Sequence, residues 1–270
     1  MRRFLGKDKN DGLGLVFNFE MLRFGFRAHY FHQVIANLET DFPTPFMPVY
    51  VFSNHDRRRS MKRLNGDVSK AKLLHLMQLT VRGVPCMYYG EEIGMQDARF
   101  KYSEALDPIP HLHKGVPRFL VDLFGETLDR DELRTPMQWD TTTAAGFSSN
   151  PKTWLPVHTN FRQVNVEKEE KDTNSLLYMV QQVLKIRKKT PAISSGSITL
   201  LDSKSLPKGV LAYKRDLGSD EVVVLINFTK HKKEFQLPGS YKSILSVNKT
   251  DSYSNGKISL DTFGGIILKK

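Results

Sequence analysis

Two apolar runs stand out along the chain: Pro48-Val49-Tyr50-Val51-Phe52 and Val84-Pro85-Cys86-Met87-Tyr88-Tyr89. Neither alternates with polar residues, and both are rich in β-branched or aromatic side chains. Such runs read as strands buried on both faces, as in parallel sheets. A shorter run, Leu15-Val16-Phe17-Asn18-Phe19, precedes them. The intervals between the runs carry helical stripes. In residues 29–38 the apolar positions are Phe31, Val34, Ile35 and Leu38. In residues 69–81 they are Ala71, Leu73, Leu74, Leu76, Met77 and Val81. Gly83, with Pro85 just beyond, is the expected stop of the second helix. Strand, helix, strand, helix, strand in that order predicts parallel strands joined by right-handed crossovers.

Residues 96–172 break the rhythm. They are rich in Pro, Asp and Thr, and an irregular segment of that length usually carries function. Asp172-Thr173-Asn174 is expected to cap a helix that runs to Lys189. Its apolar residues are Leu176, Leu177, Val180, Val183, Leu184 and Ile186, and its cationic last turn is Arg187-Lys188-Lys189. Beyond Thr190-Pro191 short strands alternate with turn signals such as Leu217-Gly218-Ser219-Asp220 and Asn255-Gly256. The strands are read at residues 210–213, 222–228, 234–237, 243–247, 258–260 and 266–268. The organisation predicted is an α/β region over residues 1–190, containing the long loop 96–172, and an antiparallel β-sandwich over 191–270.

Composition narrows the function classes. The 270 residues include 40 Lys+Arg against 29 Asp+Glu, a net charge of +11. The cations are scattered and no zinc spacing or RNA-recognition signature organises them, so they read as solvated faces and no nucleic-acid partner is expected. The apolar runs are too short to cross a bilayer, and the first residues lack the apolar core of a signal peptide. A single cysteine, Cys86, rules out an internal disulfide and reads as a small core residue. A cytoplasmic location without membrane attachment is the expectation. His111 and His113 are spaced like ligands but lack a third, so a loop role is expected and no metal or cofactor.

Chemistry is expected where the second strand ends. Phe52-Ser53-Asn54-His55-Asp56 places His and Asp side by side at the carboxyl end of a buried strand, where α/β enzymes put reacting groups. An Asp capping a helix beside a hydrogen-bonded His is the structural alternative. Two further segments follow in order: Tyr89-Gly90-Glu91-Glu92-Ile93-Gly94-Met95 and Leu133-Arg134-Thr135-Pro136-Met137-Gln138-Trp139-Asp140. With these, and with Phe17-Asn18-Phe19-Glu20 ahead of them, the chain resembles α-glucosidases of the oligo-1,6-glucosidase type in the α-amylase superfamily, glycoside hydrolase family 13. The resemblance covers nearly the whole chain and corresponds to the carboxyl-terminal half of such enzymes.

The resemblance implies strands six to eight of a (β/α)8 TIM barrel followed by an antiparallel β-sandwich domain. It also implies retaining hydrolysis of α-linked glucosides, in which a nucleophilic carboxylate and an acid/base carboxyl lie about 5–5.5 Å apart. Asp56 matches the family's third carboxylate, which stabilises the oxocarbenium-like transition state. His55 and Arg134 match substrate contacts. Arg59 matches an Arg common after the His-Asp pair and is expected to belong to the substrate-binding set and to orient Asp56. The matching strands for the nucleophile Asp and the acid/base Glu are absent, and no Gly-Phe-Arg-x-Asp segment occurs; Gly25-Phe26-Arg27 is followed by Ala28-His29. Glu20, Glu91 and Glu92 lie near strand tips but match structural positions of the family. The chain is therefore expected to be the back half of a longer enzyme, to bind an α-glucoside oligosaccharide, to require a missing amino-terminal half, and to be inactive alone. A non-catalytic amylase-fold interaction protein, like transporter heavy chains, and a family transglycosidase or isomerase are the alternatives.

Overall fold

The computed structural model describes residues 2–8, 11–113, 115–124 and 126–270. Counting only helices longer than ten residues, the elements before residue 190 are α1 (Ala28–Asp41), β1 (Val49–Val51), α2 (Val68–Thr80), β2 (Val84–Cys86) and α3 (Leu176–Lys189). The two strands pair in parallel, with Val49 opposite Val84 and Val51 opposite Cys86. The expected strand at residues 15–19 is reduced to one parallel bridge between Phe17 and Val49. Leu15, Phe17 and Phe19 are 48%, 50% and 55% exposed. Among the described residues this segment pairs with one neighbour only, and β-structure with so few partners is marginal. β2 is likewise only half-buried, Cys86 included, so neither it nor Cys86 reaches the core burial that the sequence pattern predicts.

Each long helix is placed by a recognisable pattern. α1 buries Phe31, Val34, Ile35 and Leu38, the stripe of one helical face. α2 begins at an Asp67 cap, whose carboxylate accepts from the Ser69 and Lys70 amides. It is buried almost all round, polar residues included. Gln78 donates to the carbonyls of Tyr50 and Cys86 at 3.0 and 3.1 Å, tying the helix to both strands, and its own oxygen meets His75 Nδ1 at 3.0 Å. α3 is capped by Ser175, not by Asp172 to Asn174. The Ser175 hydroxyl accepts from the Tyr178 amide at 3.0 Å, while Asp172 closes a local turn onto the Asn174 amide. Leu184 of α3 is 43% exposed, outside the inward stripe expected for it. Residues 96–172 are broken into short helical turns, among them Pro108–Leu112, Arg118–Leu123, Arg130–Leu133 and Val166–Lys171.

Eight antiparallel strands follow: β3 (Ser197–Leu200), β4 (Val210–Leu217), β5 (Asp220–Asn227), β6 (Lys233–Gln236), β7 (Lys242–Ser246), β8 (Ser252–Ser254), β9 (Lys257–Leu260) and β10 (Gly265–Lys269). They form a five-stranded sheet in the order β3-β4-β5-β10-β7 and a three-stranded sheet in the order β6-β9-β8. Between β8 and β9, Asn255 and Gly256 both take positive φ (49° and 79°), the geometry of a tight two-residue hairpin. Val210, Ala212, Val223, Leu225, Ile266 and Leu268 face the smaller sheet's Ile258 and Leu260. The opposite face, with Leu211, Tyr213, Val224, Ile226 and Ile267, joins α1, α2 and α3 in one continuous core. The architecture is a parallel βαβ segment with long flanking helices, as expected of a piece of a (β/α)8 barrel, followed by an antiparallel β-domain.

Two guanidinium groups seal the junction. Arg215, on β4 and 1% exposed, donates to the carbonyls of Thr80, Gly196 and Ser197 at 2.6, 2.7 and 2.8 Å. Arg187, in the last turn of α3, donates to the carbonyls of Leu79 and Gly83, both at 2.8 Å. Burial lowers the pKa of each. Among the described residues, no helix is long and apolar enough to cross a membrane.

Candidate active site

β1 delivers the cluster. After Phe52 the chain turns within one residue, because the Asn54 side-chain oxygen accepts the Asp56 amide at 2.9 Å, an Asx turn. This leaves the Asp56 carboxylate 44% exposed at the strand's carboxyl end. One of its oxygens lies 3.2 Å from His55 Nε2. The other meets two arginines, Arg134 at 3.1 Å and Arg130 at 3.3 Å. Arg134 also donates through Nε to the His55 carbonyl at 3.0 Å. Thus three of the four residues expected from the sequence, His55, Asp56 and Arg134, meet at one point. Arg134 reaches it from a loop 78 positions further along the chain.

Arg130 is the member that sequence reading missed. The visible signal was an Arg four residues before Arg134, and the turn Arg130–Leu133 puts both on one side. Arg130 is shared. Its Nε and NH2 hold Asp107 at 2.7 and 2.9 Å, and this hydrogen bonding pulls the Asp107 carboxyl down to about 2. Asp107 is a cap as well, accepting the amides of Ile109 and Arg130, so its oxygens are fully engaged.

Arg59 does not touch Asp56, contrary to the orienting role expected of it. It is completely buried, and its guanidinium donates to the carbonyls of Tyr89 at 2.6 Å and Leu133 at 3.0 Å. The Tyr88 and Tyr89 rings flank it, each centroid 4.7 Å away. Its amide is held by Asp97 at 2.8 Å, a buried carboxylate whose pKa desolvation raises. Because Leu133 immediately precedes Arg134, Arg59 fixes the loop that carries Arg134 and so reaches the site only indirectly. Tyr88 adds a second donor to the same Leu133 carbonyl at 3.2 Å.

The nearby acids are committed to structure. Glu91 is buried and accepts from the Ser53 hydroxyl on one oxygen and the Tyr88 amide on the other. Gly90, at φ +80°, permits this turn: a Cβ there would sit 2.2 Å from the Met95 sulfur. Glu126 is clasped by Arg23 and Arg57. His111 and His113 bond the carbonyls of Ala105 and Ile109. Among the described residues, no group of three or more His, Cys, Asp or Glu could hold a metal ion. What remains at the opening, among the described residues, is the Asp56 carboxylate with a histidine and two arginines around it, while Glu92 lines a groove beside Arg134. That set can accept hydrogen bonds from ligand hydroxyls on Asp56 and donate others from His55 and Arg134. The arginine pairs are exposed enough to be weak, about 0–1 kcal/mol each, so ligand hydroxyls can compete for the carboxylate.

Comparison with known proteins gives the same direction. Residues 2–196 match the family described as alpha amylase, catalytic domain, and residues 210–267 match the alpha-amylase SusG C-terminal domain. Among curated relatives, an oligo-1,6-glucosidase of Halalkalibacterium halodurans is 32% identical over 219 residues, covering 76% of this chain and 38% of the relative. A glucan 1,6-alpha-glucosidase of Streptococcus pneumoniae is 30% identical over 275 residues, covering 91% of this chain and 50% of the relative. Among solved structures, the isomaltulose synthase of Protaminobacter rubrum superposes with a TM-score of 0.84 at 25% identity, covering 99% of this chain and 53% of that one. The chain spans half or less of the length of these two curated relatives. With the family match extending over residues 2–196, the chain belongs to the α-amylase family, glycoside hydrolase family 13.

Proposed function

We propose that this chain forms the sugar-gripping side of a retaining α-glucosidase site for short α-linked glucosides, in carbohydrate metabolism. In this reading Asp56 is the transition-state stabiliser. His55 and Arg134 contact the sugar, and Arg59 positions the Arg134 loop. Residues 1–190 are the barrel segment and 191–270 the β-sandwich that supports it. The nucleophile and acid/base carboxylates come from a missing amino-terminal half of the barrel, and without them the chain does not hydrolyse. The observation carrying the proposal is the convergence of His55, Arg130 and Arg134 on the exposed Asp56 carboxylate at a parallel-strand tip. The fixed negative charge of the Asp56 carboxylate favours a cationic, oxocarbenium-like state over the neutral sugar, the two arginines serving to hold that carboxylate in place, and that difference is what accelerates a reaction.

The purified chain is expected to release no chromophore from a chromogenic α-glucoside. Co-expression with a separate amino-terminal half from an oligo-1,6-glucosidase is expected to restore release, and Asp56→Asn to abolish it again. Turnover by the 270-residue chain alone, lost in Asp56→Asn, would overturn the reading. A second reading keeps the site but transfers the glucosyl group to another sugar hydroxyl. The likeness to an isomaltulose synthase favours it, and product analysis on sucrose with the co-expressed, reconstituted enzyme separates the two.

A further inference from the structure

A groove runs between one side of α3 and the strands β7 and β10, at the junction of the two domains. Its wider part encloses about 550 Å³ and is lined by Gln182, Lys185, Lys189, Leu245, Ser246 and Lys269. It continues into a second cavity of about 180 Å³, which shares Gln182, Leu245 and Ser246 and adds Tyr178 and Lys249. Among the described residues, no Asp or Glu lines either part. The helical wall follows from the sequence: Tyr178, Gln182, Lys185 and Lys189 are spaced by four, three and four positions, one face of α3. The facing wall is β7, the edge strand of the five-stranded sheet, with β10 beside it.

Three ammonium groups border the wider part from two directions. Lys185 and Lys189 stand one helical turn apart and are exposed. Among the described residues, neither ammonium makes an ion pair or a hydrogen bond. Lys269 arrives from β10. Its carboxylate partner, Asp220 at 2.9 Å, leaves the Lys269 side chain 41% exposed, so a second anion can compete for it. Lys72, at the narrow part, is engaged by the Asn174 carbonyl and by the charges of Asp172 and Glu169, and adds no free charge. A cationic last turn complements the negative pole of a helix. That preference accounts for Lys188 and Lys189. It does not account for Lys185, a turn further in, for Lys269 brought from another domain, or for the absence of an acid between them. The same pole opposes a bound anion, and three cations outnumber it.

We propose that this groove binds a small organic phosphate, with the phosphate among Lys185, Lys189 and Lys269 and a hydroxyl-bearing body over Gln182, Ser246 and Tyr178. Lysine serves phosphate as a compact point charge, and three of them around one cavity match its charge. The Gln182 amide and the Tyr178 hydroxyl make no hydrogen bond among the described residues, so both stay open to hydroxyls. The Ser246 hydroxyl donates to the Asp251 carbonyl at 3.0 Å and can still accept. Walled cavities of about 300–1,000 Å³ are the size that small ligands use. A nucleic-acid strand needs a basic track with stacking rings, and Tyr178 is the one ring lining either part among the described residues. The proposal shares no residue with the Asp56 cluster and stands apart from the glycosidase reading. A ligand held here touches α3 on one side and β7 and β10 on the other, and so braces the junction.

Calorimetric titration of the full chain with glucose 6-phosphate is the test. Saturable binding is expected, with a dissociation constant of about 0.1–1 mM. The double variant Lys185→Gln/Lys189→Gln is expected to weaken it at least about tenfold. Lys204→Gln/Lys208→Gln removes the same charge from an exposed loop outside the groove and is expected to stay within about twofold of the parent. Inorganic phosphate is expected to bind about tenfold more weakly than glucose 6-phosphate, and Gln182→Ala to narrow that gap to about threefold. No binding of glucose 6-phosphate up to about 20 mM, or equal losses in the two double variants, would overturn the site. Binding that survives Lys185→Gln/Lys189→Gln but is lost in Asp56→Asn would overturn it too, and leave the glycosidase reading intact. Equal affinity for inorganic phosphate would remove the organic body from the proposal. A short oligothymidylate that binds more tightly than glucose 6-phosphate, through the same two lysines, would overturn it in favour of a nucleic-acid strand.

Discussion

Replacing Arg59 by Met tests whether this residue holds the site from beneath. The substitution keeps a similar unbranched shape but removes two charge-assisted hydrogen bonds, to Tyr89 O and Leu133 O. Such bonds are worth about 1.5–3 kcal/mol each, and the two flanking rings add about 0.5–2 kcal/mol. Three effects work against the sum. The Arg59 Nε is buried without a partner in the native protein, so part of its desolvation cost is recovered. Leu133 O keeps the Tyr88 hydroxyl. Met also gains apolar contact. A net loss of about 3–5 kcal/mol is expected, set mainly by the two carbonyls that lose their charged donor in a buried place. With a urea slope of about 3 kcal/mol per molar, the unfolding midpoint falls by about 1–1.7 M. Arg57→Ala, two residues away, is the control: its ion pair with Glu126 is partly exposed, and a loss of at most about 1 kcal/mol is expected. A midpoint shift below about 0.3 M for Arg59→Met, at unchanged slope, would refute the role assigned to it.

Three other outcomes are expected. Burial, with the neighbouring acids Asp131, Glu132 and Asp107 adding to it, pushes the Asp129 carboxyl up to about 6. The fold therefore prefers it protonated, and its favourable contribution fades as pH rises through about 6; Asp129→Asn should raise the thermal midpoint by about 2–4 °C at pH 8 and leave it unchanged near pH 4. Asp107 has the opposite sign: held down to about 2 by Arg130, it stabilises above the ordinary carboxylate range and loses that contribution as pH falls from about 4 to 2, so Asp107→Asn should lower the urea midpoint at pH 6 and narrow its gap from the parent at pH 3. Ser175→Ala should cost about 1 kcal/mol in urea unfolding through loss of the α3 cap, and Asp172→Ala clearly less.

The sequence was most legible where periodicity and burial agree. The Phe31, Val34, Ile35 and Leu38 stripe of α1 and the apolar runs of β4, β5 and β10 pack as their spacing predicts. It was least legible at edges. β3 and β8 are four- and three-residue, half-exposed strands held by pairing to a neighbour; Ser197-Ile198-Thr199-Leu200 does alternate, but a run so short beside a helix and a loop carries too little pattern to stand out. The cap of α3 was misplaced by a few residues because Asp172, Asn174 and Ser175 are all good caps; the hydrogen bond to Tyr178 decides for Ser175. At the site, His55 and Asp56 were readable because they sit together on one strand tip, and Arg134 because its flanking motif is long. Arg130 and the buried course of Arg59 were not, since both depend on how a long loop folds back. Nothing local in the sequence encodes that contact.

The two guanidinium groups at the α2 terminus carry a consequence for how the polypeptide can be divided. The last carbonyls of a helix form its negative pole, and here those of Leu79 and Thr80, with that of Gly83 just beyond, are met by cations supplied from α3 and β4. A helix completed by donors more than a hundred residues downstream cannot keep its end once they are gone. The boundary that sequence texture draws near residue 190 is thus a seam in composition and not in energy: cutting there leaves Arg187 in place but strips Arg215 from Thr80, and with it the β4, β5 and β10 face that shares one core with α1, α2 and α3.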